Sequence, residues 1–274
     1  MIDGLLRFIN RPQQLVFKTW AKFPVGSFER RLAWDIFPRP HYAYCTYHAA
    51  RLAERLGIER ISVIEFGVAG GNGLVELERM AEAVEQEFKT KIDVYGFDTG
   101  LGLPPPLDYR DLPYIWQEGH FKMDIEALKA RLSRANLVFG DVKDTVPTFC
   151  EKHKPAPIGA VFMDLDYYSA TIDGLEIFET PSEYALPRVF CYFDDVGSAE
   201  GGGIMCDKVG QLLAIDEYND RNDRRHLARI GGFEHTRNRK ASWNDKIFVH
   251  HAFDHPHYDT YIHRSANRQL QLQA

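Results

Sequence analysis

Ile61-Ser62-Val63-Ile64-Glu65-Phe66-Gly67-Val68-Ala69-Gly70-Gly71-Asn72-Gly73 is the stretch whose reading decides the fold. Its first half is a short β-branched apolar run ending in an acidic residue and a glycine, the pattern of a buried parallel strand. The glycines let the backbone turn and approach a ligand without Cβ clashes. Residues 74–88 then carry the period of an amphipathic helix. A dinucleotide fingerprint here would read Gly-x-Gly-x-x-Gly, with a pyrophosphate at the helix N-terminus. This turn reads acidic-x-Gly-x-Ala-x-Gly instead, with Glu65 two residues before Gly67. A carboxylate at that point disfavours a pyrophosphate. It suits a cationic ligand, such as the sulfonium and ammonium of S-adenosylmethionine.

Outward from this turn, strands and helices alternate. Residues 42–57 are helical and stop at Gly57, a C′ glycine. Strands are expected at 92–98, 136–141, 158–166, 186–196 and 246–253. Helices are expected at 125–134, 142–151 and 169–179, with a further one closing at Asp220. Such alternation predicts an α/β fold, a doubly wound and mostly parallel sheet with helices on both faces. Residues 1–40 are aromatic and basic, with proline breaks, and read as a helical cap or lid. Residues 41–263 form the main domain, and 264–274 a frayed tail.

In a parallel α/β sheet, ligands sit outside the carboxyl ends of the strands. Glu65, Asp98, Asp141, Asp164, Asp166, Asp194 and Asp195 all fall at or just beyond such ends. Gathered on one edge, these carboxylates are tolerable only if solvated, hydrogen-bonded or neutralised by a cation. Asp98 either accepts both hydroxyls of a ribose or closes an Asx turn or helix cap, and Asp141 either faces an adenine or caps the helix after it. The strand–helix–strand crossover brings Asp164 and Asp166 beside Asp194 and Asp195. All-oxygen donors without a nearby cysteine suit Mg²⁺, Mn²⁺ or Ca²⁺ rather than Zn²⁺. Which of Asp164 and Asp166 acts as a base stays open, because alternation along a strand would point them to opposite faces.

The motifs at residues 63–73 (VIEFGVAGGNG), 94–104 (VYGFDTGLGLP), 140–147 (GDVKDTVP), 163–171 (MDLDYYSAT) and 193–197 (FDDVG) together resemble the macrocin and novobiocin type of O-methyltransferase. The resemblance covers residues 58–198. It implies a bacterial class I methyltransferase with a Rossmann-like seven-stranded sheet, in keeping with the cytoplasmic compartment expected where neither a signal peptide nor a membrane span is read. It implies S-adenosylmethionine as cofactor, Mg²⁺ or another hard divalent cation, and a small-molecule hydroxyl acceptor such as a sugar-bearing natural product. By this resemblance Glu65, Gly67, Gly71 and Asp98 hold the cofactor, with Asp141 near the adenine. Asp164, Asp194 and Asp195 are then the metal ligands and Asp166 the general base.

Composition narrows the classes. A net charge of −6 makes a general nucleic-acid binder a poor fit, since phosphate neutralisation needs clustered Lys and Arg. No uninterrupted apolar run is long enough to span a membrane, and residues 1–18 do not have the build of a signal peptide. The cysteines Cys45, Cys150, Cys191 and Cys206 are widely spaced and read as reduced thiols. Self-association into a homo-oligomer is left open.

Other features read as secondary. Tyr167 and Tyr168 are candidates for the acceptor pocket, and the run Gly201-Gly202-Gly203 for a mobile acceptor loop. The histidines His250, His251, His255, His257 and His263 lack zinc-site spacing and read as solvated or partner-facing. Arg221, Arg224 and Arg225 read as a solvated helix end, and Arg237, Arg239 and Lys240 as a surface turn or a contact for an anionic acceptor. Two other functions remain. Asp164-Leu165-Asp166 is also the DxD of a metal-dependent nucleotide-sugar glycosyltransferase, which leaves Glu65 and Asp98 unexplained. A methyltransferase-like protein could also bind a nucleoside without turnover.

Overall fold

The computed structural model describes residues 12–23, 25–196 and 205–263. Its centre is a seven-stranded sheet in the order β3-β2-β1-β4-β5-β7-β6. The strands are β1 (Arg60–Phe66), β2 (Lys91–Asp98), β3 (Asn136–Phe139), β4 (Ile158–Met163), β5 (Ala185–Phe193), β6 (Arg225–Arg229) and β7 (Ile247–Ala252). The pairings from β3 through β5 are parallel, and β7 inserts antiparallel between β5 and β6. The mostly parallel, doubly wound α/β architecture is the one expected from the sequence.

Alternation along the strands splits the core in two. Val63, Val94, Ala160 and Phe162 face one helical layer, and Ile64, Phe97, Val161 and Met163 face the other. The first layer holds α3 (Pro40–Leu56) and α4 (Asn72–Glu85). The second holds α6 (Val142–His153), α7 (Tyr168–Gly174) and α8 (Gly210–Asp220). The fully buried β1 and β4 need the near-continuous apolar runs that they have. Helix α3 ends at Gly57 with φ 74°. Its stop was legible because only glycine takes the left-handed conformation at little cost.

Two short helices precede α3: α1 (Pro12–Lys22) and α2 (Phe28–Ala33). Phe28 stacks on Tyr47 of α3 with ring centroids 5.1 Å apart, and Leu32 and Ile36 are buried. Arg237 ties this segment to the core. Its guanidinium donates to Asp35 at 2.6 Å and to the Leu32 carbonyl at 2.5 Å, and lies over Trp243. Arg237 was expected in a surface turn, yet its side chain is 8% exposed. The reason is tertiary, a carboxylate from a segment two hundred residues earlier.

Other expectations also change. The helix read at 125–134 is shorter, α5 (Ile125–Lys129). Arg225 does not end a helix but opens strand β6, where its guanidinium meets Asp254 and the carbonyls of Phe178 and Thr180. His250 and His255 are buried rather than solvated. His250 stacks on Phe178 because β7 lies inside the sheet, and His255 meets the carbonyls of Ser182 and Ala185. The glycine run 201–203 and the tail 264–274 lie outside the described residues.

Candidate active site

Sheet register builds the site. Phe97 pairs with Phe66, Phe66 with Met163, and Met163 with Phe193, while Asp98 pairs with Phe139. The strands therefore end in step, and the next residues form one rim. The Gly67 N–H donates to the Phe97 carbonyl, the Asp164 N–H to Phe66 and the Gly140 N–H to Asp98, at 2.9, 2.9 and 3.1 Å. Outside this rim lies a cavity of about 840 Å³, within the usual range for small-molecule sites. Gly67, Asp98, Asp141, Asp164, Asp166, Asp194 and Asp195 all line it. Glu65 and Gly71 lie outside its lining.

Glycine is needed where the rim is tightest. Gly67 has φ +80°, and a Cβ there would stand 1.7 Å from the Asp164 carbonyl oxygen. The β1 turn thus lies directly against the acidic segment after β4. Beneath the turn, Glu65 is 2% exposed and accepts from the Tyr42 hydroxyl at 2.8 Å. Its Oε2 has no hydrogen-bond partner. Burial pushes the Glu65 carboxyl up to about 7, against the pull of Tyr42 and Arg39.

Asp98 accepts from the Ala69 N–H at 2.8 Å through one oxygen and from the Gly100 N–H at 2.6 Å through the other. Each carboxylate oxygen has a second lone pair, so Asp98 retains acceptor capacity beyond the backbone bonds that fix it. Asp141 caps α6, accepting from the Lys143 N–H at 3.1 Å, and pairs with the Lys143 ammonium at 3.1 Å. The capping alternative is therefore realised on a residue that also borders the cavity.

Asp164, Asp166 and Asp195 each offer a carboxylate oxygen within 4.8 Å of the others. Strand β4 stops at Met163, so alternation does not separate Asp164 from Asp166. Asp166 adopts φ 59°, and its N–H donates to the Asp195 carboxylate at 3.2 Å. Burial and the neighbouring negative charges push Asp164 and Asp195 well above the usual carboxylate range. Asp194 lies outside this trio. Its carboxylate meets the Lys246 ammonium at 3.2 Å and accepts from the Tyr192 hydroxyl. Burial pushes the Asp194 carboxyl up, but these two partners outweigh it and hold the group below its usual range.

The donor sets match the groups that the sequence implied. Three converging hard oxygen donors fit a divalent cation of the Mg²⁺ class. The orphaned Glu65 oxygen, the close-approach glycine turn and the residual acceptor capacity of Asp98 fit a cationic nucleoside.

Several site residues were not legible. Tyr42 reaches Glu65, Arg39 lies over the Tyr42 ring, and Lys246 reaches Asp194, each through tertiary packing alone. The loop 99–122, between β2 and α5, supplies one wall of the cavity through Leu103, Pro104, Trp116 and Phe121. Its density of glycine and proline was the available signal. Tyr167 lines the cavity as expected, whereas Tyr168 turns to Glu217, donating at 2.5 Å.

The strand order and the single antiparallel insertion define a Rossmann-like, class I methyltransferase fold. The calicheamicin methyltransferase CalS11 has this fold, at a TM-score of 0.51 and 19% identity over 86% of this chain and 90% of its own. The O-methyltransferase NovP has it too, at a TM-score of 0.52 and 14% identity over 77% of this chain and 79% of its own. No family model matches the chain, and no curated protein matches it. Among the described residues, no helix is long and apolar enough to cross a membrane.

Proposed function

We propose that this protein is an S-adenosylmethionine-dependent O-methyltransferase, assisted by a hard divalent cation and acting on a small-molecule hydroxyl. The observation that carries the reading is the shared cavity. Gly67 and Asp98 border it together with the trio Asp164, Asp166 and Asp195. The fold and the sequence resemblance support the same activity. A DxD glycosyltransferase leaves Glu65, Gly67 and Asp98 without a task.

When bound, S-adenosylmethionine supplies a methyl group already activated on a sulfonium, and the divalent cation supplies a Lewis acid that lowers a hydroxyl pKa. In this reading Gly67 and Asp98 hold the cofactor from the cavity lining, Glu65 and Gly71 support it from beneath as parts of the turn, and Asp141 marks the adenine end. Asp164 and Asp195 hold the cation, and Asp166 completes their set. Asp166 also takes the proton of the acceptor hydroxyl. Asp194 is given no ligand role, because Lys246 and Tyr192 already engage it. Alignment of the two reactants within one cavity then supplies much of the rate, about 7–11 kcal/mol in favourable cases.

Calorimetry with S-adenosylhomocysteine, followed by Mg²⁺, tests this function. Saturable binding of both is expected, with cation binding lost in Asp195→Asn. Absence of S-adenosylhomocysteine binding, or tighter binding of a nucleotide sugar, overturns the proposal.

A further inference from the structure

Helix α1 is held to the molecule by one side and leaves another bare. Its Phe17 stacks on Trp34 with ring centroids 6.0 Å apart, and the Arg239 guanidinium lies 4.2 Å from the Phe17 ring centre. Val16, Trp20 and Phe23 follow one another at helical spacing and form a different stripe. The Phe23 N–H donates to the Thr19 carbonyl at 2.9 Å, so Phe23 continues the helical path. Val16 and Phe23 are each 62% exposed. The Trp20 indole donates to the Val25 carbonyl at 2.8 Å, which sets the exposed Val25 beside the stripe.

Exposed apolar side chains grouped in this way mark an interaction surface. It is separate from the catalytic cavity: among the described residues, none before Gly67 lines that cavity.

The charge around the stripe is positive. Lys22 stands 5.6 Å from the Phe23 ring centre, and both Lys22 and Arg30 are exposed. The acids of residues 12–40 are engaged elsewhere. Glu29 accepts from the Tyr47 hydroxyl at 2.6 Å, and Asp35 holds Arg237. In sequence, residues 1–23 carry Arg7, Arg11, Lys18 and Lys22 against Asp3 alone, in a chain whose net charge is −6.

A stripe of Val, Trp and Phe flanked by cations matches the interface of an anionic bilayer. Apolar groups enter the acyl boundary while lysine and arginine meet lipid phosphates. Tryptophan suits that depth, with an apolar ring and a polar N–H. The same face of a second copy would instead bring like charges together.

We infer that α1 and the turn after it dock this protein reversibly on an anionic lipid surface. Val16, Trp20, Phe23 and Val25 enter the headgroup boundary, and Lys22 and Arg30 meet lipid phosphates. The helix lies along the surface, since its 11 residues are too few to span a bilayer. The docking does not depend on the methyl-transfer reading, which stands if the docking fails.

Co-sedimentation of the full chain with vesicles tests this. One set is phosphatidylcholine alone, and the other is phosphatidylcholine mixed with phosphatidylglycerol. The mixed vesicles are expected to bind at least tenfold more tightly, an advantage that shrinks as NaCl is raised. Phe23→Asp is expected to weaken binding to the mixed vesicles at least tenfold and Lys22→Glu at least threefold, both with the thermal midpoint of the parent. Should Phe23→Asp lower that midpoint, Lys22→Glu decides alone. Absence of binding, equal binding to both vesicles, or indifference to these substitutions overturns the inference. So does self-association in the absence of vesicles that Phe23→Asp abolishes, which would give the stripe to a second copy.

Discussion

Gly67 and Asp164 meet at the centre of the rim, where any side chain on Gly67 would enter the Asp164 carbonyl. This contact joins the turn assigned to the cofactor to the segment assigned to the cation. Gly67→Ala forces a left-handed conformation and a clash with backbone, together costing more than about 2 kcal/mol. A lowered thermal midpoint and loss of S-adenosylhomocysteine binding are expected, checked by calorimetry. A variant as stable as the parent would contradict the close approach.

Asp98 and Asp195 border one cavity from different strands, so their losses are expected to separate. Asp98→Ala removes the carboxylate that holds the Ala69 and Gly100 N–H groups. S-adenosylhomocysteine affinity falls at least tenfold, while Mn²⁺ binding persists. Asp195→Asn does the reverse, with cofactor affinity within threefold of the parent. Parallel loss of both ligands in both variants would show a folding defect instead of two subsites.

Asp111 fastens the loop 99–122 to the N-terminus of α7 through Ser169. Asp111→Ala leaves the part-buried N–H groups of Leu107 and Ser169 without their acceptor, at about 0.5–1.5 kcal/mol each. Faster amide exchange is expected at Leu107 and Ser169, with β1 and β4 unaffected. Ser169→Ala, which keeps the backbone bond, is expected to have the smaller effect.

Burial raises the Glu65 carboxyl from 4.5 to about 7, which sets a pH dependence with a defined sign. The folded chain binds this proton more tightly than the unfolded chain. The contribution to stability is thus fully present below about 4.5 and is lost as pH rises through about 7, at up to about 1.4 kcal/mol per pH unit. Relative to Glu65→Gln, the ligand-free parent is expected to lose thermal stability between pH 5 and 8, a difference that isolates this group from the others that titrate there. S-adenosylmethionine, being cationic, is expected to bind the parent more tightly across the same interval, a dependence that Glu65→Gln is expected to flatten.

The buried histidines act in the opposite direction. Burial lowers His41, His48 and His250 to about 3. Each stays neutral in the fold and favours it above the ordinary histidine pKa of 6.5, a contribution lost as pH falls. Their ring resonances are expected to stay unshifted between pH 8 and 5, as followed by NMR.

The readability of this fold follows from where the information lies. Strands β1 and β4 were legible because burial on both faces demands continuous apolar runs. Strand β6 was not, because it is an edge strand of Arg, His, Leu, Ala and Arg with Leu227 alone fully buried. The carboxylates of the rim were legible from their places at strand ends. The meeting of Asp164 and Asp166 with Asp195 was legible from the strand–helix–strand crossover, but the turn of both toward one point was not, because Asp166 joins Asp164 only once β4 stops short and the backbone turns left-handed. The diversion of Asp194 depends on Lys246, and the tether on Glu65 depends on Tyr42. Neither pairing leaves a local trace in the sequence.

The most direct test is anomalous diffraction from crystals holding both S-adenosylhomocysteine and Mn²⁺. The account expects one manganese peak bounded by Asp164, Asp166 and Asp195, with the nucleoside between Gly67 and Asp98 in the same cavity. A manganese peak on Asp194 without Asp166 would reverse the assignment of ligands. A nucleoside bound elsewhere than the Gly67 and Asp98 rim would contradict the account itself.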